Sequence, residues 1–319
     1  MVLAREHFPD FWTEPDTLLQ SGRKSSNVNN NFVDAVTTAR LYLLGTVKRT
    51  LRQMKVGFSL SPGGLMLPYH VGALAALQYH GLLNEYSPIA GSSAGSIAAV
   101  AHSCGINPIK TLEATIQVSD ECAHLGGARG RLLPLLEERL NTLIDDEAFQ
   151  RLSQRPGPTG VAFREVFPRP TNFLKTTFHT KDDVIQATRF SCMFPFFSTN
   201  WPCTLDTSSK NPLPRFMVDG YFTVPRERFG CPDFCTAHIP VDRTVALAVF
   251  PASTMDMTAA FPVNDIISPS SDDFDLGSLI RIATQSTSRQ DLTRVYEQGW
   301  KDAETWCADE KGRQAVVEL

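Results

Sequence analysis

A serine held between two glycines, where a strand gives way to a helix, constrains this chain more than any other feature. Gly91-Ser92-Ser93-Ala94-Gly95 reads G-x-S-x-G. Tyr86-Ser87-Pro88-Ile89-Ala90 leads in as a short, partly apolar strand, and Gly95–Ala101 leads out as a helix of small residues. That order is the sequence form of a nucleophile elbow, a strained turn that presents the Ser93 hydroxyl at a helix N-terminus. Gly91 and Gly95 let the turn be sharp and the helix pack close. The unpaired N–H groups and positive dipole end of that helix favour a developing negative charge. The bland reading of the same letters is a Gly/Ser loop.

Two more segments bear on the choice. Val56-Gly57-Phe58-Ser59-Leu60-Ser61-Pro62-Gly63-Gly64-Leu65 runs from an apolar strand into a glycine pair, and the helical stretch Tyr69–Leu77 follows. Adjacent glycines at such a turn can leave backbone N–H groups free to converge on one point, as an oxyanion hole requires; a plain helix-capping turn uses the same residues. Phe216-Met217-Val218-Asp219-Gly220 is an apolar strand ending in Asp-Gly. By itself an aspartate there is more often a turn former than a base.

The three segments together resemble the patatin-like lipid acyl hydrolases, closest to the adipose triglyceride lipase and adiponutrin branch. The resemblance runs from about Val56 to Val224. It is extended by Tyr69-His70-Val71-Gly72, by Lys181–Ala187 with Ser191-Cys192-Met193-Phe194-Pro195, and by Arg294–Ala303. It implies a Ser–Asp dyad without histidine. Ser93 is the implied nucleophile and Asp219, followed by Gly220, the implied base, with Gly63, Gly64 and Leu65 supplying oxyanion N–H groups. It also implies a patatin-like three-layer α/β fold. The substrate would be a glycerolipid, triacylglycerol or phospholipid, met at a membrane or lipid-droplet surface. Neither metal nor organic cofactor is implied. The sequence departs from the family pattern at Leu67 and Pro62, where glycine is usual, and at Tyr221, which replaces a second glycine after Asp-Gly. Leucine and proline adopt positive φ poorly.

The pattern along the chain agrees with such a fold. Strands are expected at Val56–Leu60, Ser87–Ala90, Thr159–Phe167, Asn172–Phe178, Phe216–Val218 and Val245–Phe250. Helices are expected at Pro68–Gly81, Ala94–Ser103, Pro108–Cys122, Leu132–Leu143, Asp146–Leu152, Asp182–Phe190, Leu276–Ala283 and Arg289–Cys307. Alternation of this kind predicts a mainly parallel central sheet flanked by helices. Residues 1–54 read as a polar linker and an amphipathic helix over Phe32–Met54, with Lys48, Arg49 and Arg52 beside its apolar stripe. Residues 55–250 read as the catalytic domain and 251–319 as a helical extension packed on it.

The 319 residues are 42% hydrophobic and 20% charged, with net charge −4. That suits a sizeable core and gives no pointer to nucleic acid. No apolar run reaches the length of a membrane span. The N-terminus lacks a signal-peptide pattern, so an intracellular protein, on the cytoplasmic face of membranes or lipid droplets, is expected. Seven scattered cysteines fit a reducing compartment. Cys231, Cys235 and His238 match no zinc spacing closely.

Two rival functions draw on the same residues. Ser93, Asp219 and His238 fall in the chain order of an α/β-hydrolase triad. Against that reading, only one clear strand precedes the elbow's own. Alternatively, Leu67 and Pro62 could mark a disabled site in a lipid-binding or droplet-scaffold protein.

Overall fold

The central strands sort their side chains by size. The computed structural model describes residues 55–207, 213–270 and 275–317; the expected linker and helix before residue 55 lie outside them. In β1 (Val56–Leu60), Phe58 and Leu60 join the main core, while Gly57 and Ser59 face the other way. Between β1 and the next strand comes α1 (Leu67–Tyr79), buried along most of its length. Then follow β2 (Ile89–Ser92), α2 (Ala94–Ser103), α3 (Pro108–His124), α4 (Leu132–Leu143) and α5 (Asp146–Gln154). A hairpin of β3 (Thr159–Phe167) and β4 (Thr171–Lys175) leads to α6 (Lys181–Ser191), β5 (Thr204–Leu205) and β6 (Phe216–Val218). The chain closes with β7 (Arg243–Leu247), β8 (Ile266–Ile267), α7 (Leu276–Thr284) and α8 (Arg289–Val317).

The sheet order is β5-β6-β3-β2-β1-β7-β8, with β4 on the other edge of β3. β2, β1, β7 and β8, and the pairing of β2 with β3, are parallel. The hairpin and the β5-β6 end are antiparallel. This is an α/β fold with a mainly parallel central sheet. One face carries large side chains, among them Ile89, Val161, Phe163, Val245 and Leu247, and meets the α-helices. The other face carries Ala90, Ala162, Ala246 and Ala248 and meets short helical turns through Phe234, Met257 and Phe261. Period-2 alternation of large and small residues thus gives three layers, one of them close to the sheet.

Local signals start several helices. Asn107, Asp145, Thr180 and Asp275 each accept a hydrogen bond from a first-turn backbone N–H of α3, α5, α6 and α7. Such caps satisfy N–H groups that have no partner within the helix. The C-terminal helix α8 packs on α1, where the Tyr69 hydroxyl donates to Asp302 Oδ2 at 2.8 Å. Residues 249 and 250, expected to extend a strand, leave the sheet instead, while the Ala248 N–H still donates to the Ile267 carbonyl at 2.9 Å. Val249 is in the core and Phe250 borders a cavity, which accounts for their apolar character without strand pairing. β4 stops at Lys175, opposite Val161, three residues short of its expected end.

Candidate active site

Parallel and antiparallel pairing on one edge of β3 brings two strand ends together. β2 runs up that edge until Ser92 pairs with Ala162. β6 runs down it until Val218 pairs with Arg164. The residues that follow, Ser93 and Asp219, therefore leave the sheet on either side of Phe163. Neither strand determines this alone; the nine residues of β3 do, by holding both.

Ser93 sits at φ 52°, ψ −123°, immediately before α2. A non-glycine residue held there stores on the order of 1–3 kcal/mol of strain. Tight packing holds it. A Cβ on Gly91 would strike the Gly95 carbonyl, and one on Gly95 would lie 2.6 Å from the Ser61 oxygen. Neither glycine has room for a side chain. The Ser93 N–H donates to the Ser191 hydroxyl at 2.9 Å, and the Ser96 hydroxyl donates to the Ser93 carbonyl at 2.6 Å. Ser92 is different: its hydroxyl is buried and donates to the Gly230 carbonyl at 2.6 Å.

Asp219 is fully buried. Its N–H donates to the Met193 carbonyl at 2.8 Å, and its Oδ1 accepts from the Tyr221 N–H at 2.8 Å. Oδ2 is buried with no hydrogen-bond partner. Burial raises the carboxyl from 3.8 to about 7; the Tyr221 N–H and the Ser93 hydroxyl oppose that rise. Ser93 is thus close enough to favour the carboxylate while leaving Oδ2 without a fully formed hydrogen bond. Catalytic hydrogen bonds are often long until substrate binds. Cys192 borders the same spot, near Asp219, Ser93 and Ser96, and burial pushes its thiol far up. It stays a neutral thiol, a poor nucleophile.

The glycine pair lies between β1 and α1. Gly64 has φ +55°, and a Cβ there would strike the Ala283 carbonyl of α7. Among the described residues, no hydrogen bond occupies the N–H groups of Gly63, Gly64, Leu65 or Ala94. Ala94 opens α2, where the dipole adds positive character. His70, on α1, is buried and held neutral by burial, its pKa lowered to about 4; its Nε2–H donates to the Ser61 carbonyl at 2.8 Å and steadies the approach to the loop.

Gly63, Gly64, Leu65, Ser93 and Ala94 border one cavity of about 450 Å³. Its walls are mostly apolar, from Ile97, Val118, Leu132, Leu136, Leu140, Phe194, Phe197 and Phe250 among others. Arg139, the charged side chain among them, is paired with Glu121. Ser93 is half-buried at its wall.

A sequence model of the patatin-like phospholipase family matches residues 58–229, more than half of the chain, and that stretch contains the glycine pair, Ser93 and Asp219. The chain belongs to this family. Two human relatives of the adiponutrin branch are similar to it: patatin-like phospholipase domain-containing protein 5, 30% identical over 155 residues, and 1-acylglycerol-3-phosphate O-acyltransferase PNPLA3, 30% identical over 154 residues. Each match covers 44% of this chain, and 33% and 30% of those proteins; the aligned part is about a third of their length. Among solved structures, VipD from Legionella pneumophila is similar over 79% of this chain and 67% of its own, at 11% identity and TM-score 0.39. The ExoU–SpcU complex from Pseudomonas aeruginosa is similar over 80% of this chain and 52% of its own, at 17% identity and TM-score 0.40.

Two of the departures from the patatin-like pattern, Leu67 and Tyr221, are accommodated. Leu67 has φ −43°, ordinary right-handed helix at the start of α1, so no glycine is required there. Tyr221 lies in a short helical turn and its backbone serves Asp219. His238 is exposed, and among the described residues no histidine borders the cavity. Among the described residues, no cluster of three His, Cys, Asp or Glu side chains is arranged for a metal. Also among them, no helix is long and apolar enough to cross a membrane. Reading the sequence did not single out the free Ala94 N–H, the Ser191 contact or the Tyr221 N–H. The first could have been found, because an elbow's next residue commonly donates to the oxyanion. The Tyr221 N–H could have been found too, because an aspartate commonly accepts from the backbone two residues on; the Ser191 hydroxyl depends on a contact across the fold.

Proposed function

We propose that the chain is a lipid acyl hydrolase that cleaves glycerolipid carboxylic esters through a Ser93–Asp219 dyad. Ser93 Oγ attacks the ester carbonyl while Asp219 Oδ2 takes its proton. The tetrahedral oxyanion is met by the N–H groups of Gly63, Gly64, Leu65 and Ala94. Asp219, now protonated, returns the proton to the leaving alcohol, and the acyl group remains on Ser93. Water, deprotonated by Asp219, then attacks the acyl-enzyme and releases the fatty acid. The observation that carries this reading is the strained Ser93 at an apolar cavity, beside a buried carboxylate with one unpartnered oxygen.

The cavity also bears on substrate class. A dry cavity of roughly 150 Å³ holds benzene, with six carbons. On that scale about 450 Å³ takes one acyl chain of roughly 18 carbons. The enzyme would therefore hold a single long chain and act at a membrane or lipid-droplet surface.

A second outcome uses the same intermediate. One relative is named an acyltransferase, and an alcohol such as a lysophospholipid could replace water in resolving the acyl-enzyme. Products from triacylglycerol, diacylglycerol and phospholipid, each with and without a lysophospholipid acceptor, separate the outcomes. A fluorophosphonate should label Ser93; labelling of another serine refutes the assignment.

A further inference from the structure

Two loops at the cavity rim differ in character and are tied together. Residues 192–203 include Phe194, Phe196, Phe197 and Trp201 and no charged residue. Residues 124–131 include Arg129 and Arg131, both exposed, and no acid. Gly130 N–H donates to the Phe197 carbonyl at 2.6 Å, and Arg129 Nε donates to the Phe196 carbonyl at 3.1 Å. Leu133 N–H donates to the Ser198 carbonyl at 2.9 Å. Phe194 and Phe197 line the cavity, and Phe194 is exposed as well, so the loop forms part of its mouth.

The aromatic side chains at this mouth are turned outward. Trp201 is 72% exposed and Phe196 54%. Phe196 holds φ +58°, an uncommon conformation for a bulky residue, fixed by its N–H donating to the Trp201 carbonyl at 3.1 Å. Strain retained at an exposed apolar residue contributes nothing to the core; it points to a surface role. Leu125, from the arginine-bearing side, is also exposed.

We propose that these two loops are the face that seats the protein on an anionic lipid surface. Phe196 and Trp201 enter the interfacial region, where amphipathic aromatic rings are favoured. Arg129 and Arg131 lie among the anionic headgroups, which attract basic residues near the surface. In that orientation an acyl chain reaches the cavity past the paired rings of Phe194 and Phe197 without crossing bulk water. The orientation rests on the proposed acyl-binding role of the cavity; binding itself does not.

The test uses the full chain carrying Ser93→Ala, so that binding is read without turnover. Flotation with phosphatidylcholine vesicles, with and without phosphatidylserine, should show preference for the anionic ones. Trp201→Ala and Arg131→Glu should each weaken binding several-fold, and together about tenfold or more. Thermal unfolding checks that each variant is folded. Independently, lipids brominated on the acyl chains should quench tryptophan fluorescence, and Trp201→Phe should remove that quenching. The proposal fails if both substitutions leave binding unchanged, or if Trp201 is not quenched. It also fails if only Lys48, Arg49 and Arg52→Glu abolish binding, or if Trp201→Ala instead dissolves a dimer of the chain. Loss of hydrolysis in Ser93→Ala with normal vesicle binding separates this face from the dyad.

Discussion

The turn at Ser93 and the turn at Asp219 follow strands on the same edge of β3, yet they are built in opposite ways. Ser93 is strained, at φ 52°, and half-open to the cavity. Asp219 is relaxed, at φ −49° and ψ 149°, and fully buried. The first turn depends on two glycines with no space for a Cβ. The second depends on burial, which raises a carboxyl to about 7 and leaves one oxygen unpartnered. The contrast teaches how two short side chains can divide the work of the proposed dyad: strain would present the nucleophile, and desolvation would make the base.

The sharpest way to break this comparison is Ser93→Ala. It should lower ester hydrolysis on the order of 10⁴-fold or more, as loss of a nucleophile does. Residual turnover within about tenfold of the parent would place the nucleophile elsewhere.

Asp219→Asn comes next, with a loss on the order of 10²–10⁴, the usual contribution of a positioned base. Activity of the parent should fall as pH drops through about 7, because protonated Asp219 cannot accept the serine proton. Stability should move the other way. The folded pKa lies above the unfolded one, so the native state binds the extra proton between 3.8 and about 7 and loses that advantage as pH rises through this window. The isosteric amide does not ionise. Its thermal midpoint should therefore gain on the parent's as pH rises from about 4 to about 7, and the gap should level off above that. Parallel melting curves with no pH-dependent gap would contradict a carboxyl raised by burial.

Gly64→Ala tests whether the oxyanion loop behaves like the serine turn. With φ +55° and the Ala283 carbonyl in the way, it should cost about 1–3 kcal/mol of stability and on the order of 10²-fold in kcat. A variant with normal stability and rate would show that the loop is adaptable. The smallest effect is expected at His238. His238→Ala should change turnover by less than about twofold, since surface substitutions away from a site are near neutral. A folded but inactive His238→Ala would replace the dyad with a triad.

Much of this protein could be read from local chemistry. The limits of β1, α2, α4, β3 and β6 match the apolar periods of their own residues, because each signal lies within one element. The G-x-S-x-G turn is equally local: only glycine tolerates the contacts that Gly91 and Gly95 make. β5 and β8, two residues each, carry no period to detect. Val249 and Phe250 continue a strand's composition but serve the core and the cavity wall.

The sequence by itself determined which turn could present a serine, because backbone strain and close approach depend on a few adjacent residues. It did not determine what stands beside that serine. Asp219-Gly220 is an ordinary turn until β6 pairs antiparallel with the second half of β3, on the edge whose first half β2 occupies. That pairing buries the carboxyl, and burial raises its pKa. The Ser191 hydroxyl and the Ala283 carbonyl likewise act across the fold. Only tertiary structure could decide these, since desolvation and long-range contact are properties of the packed chain.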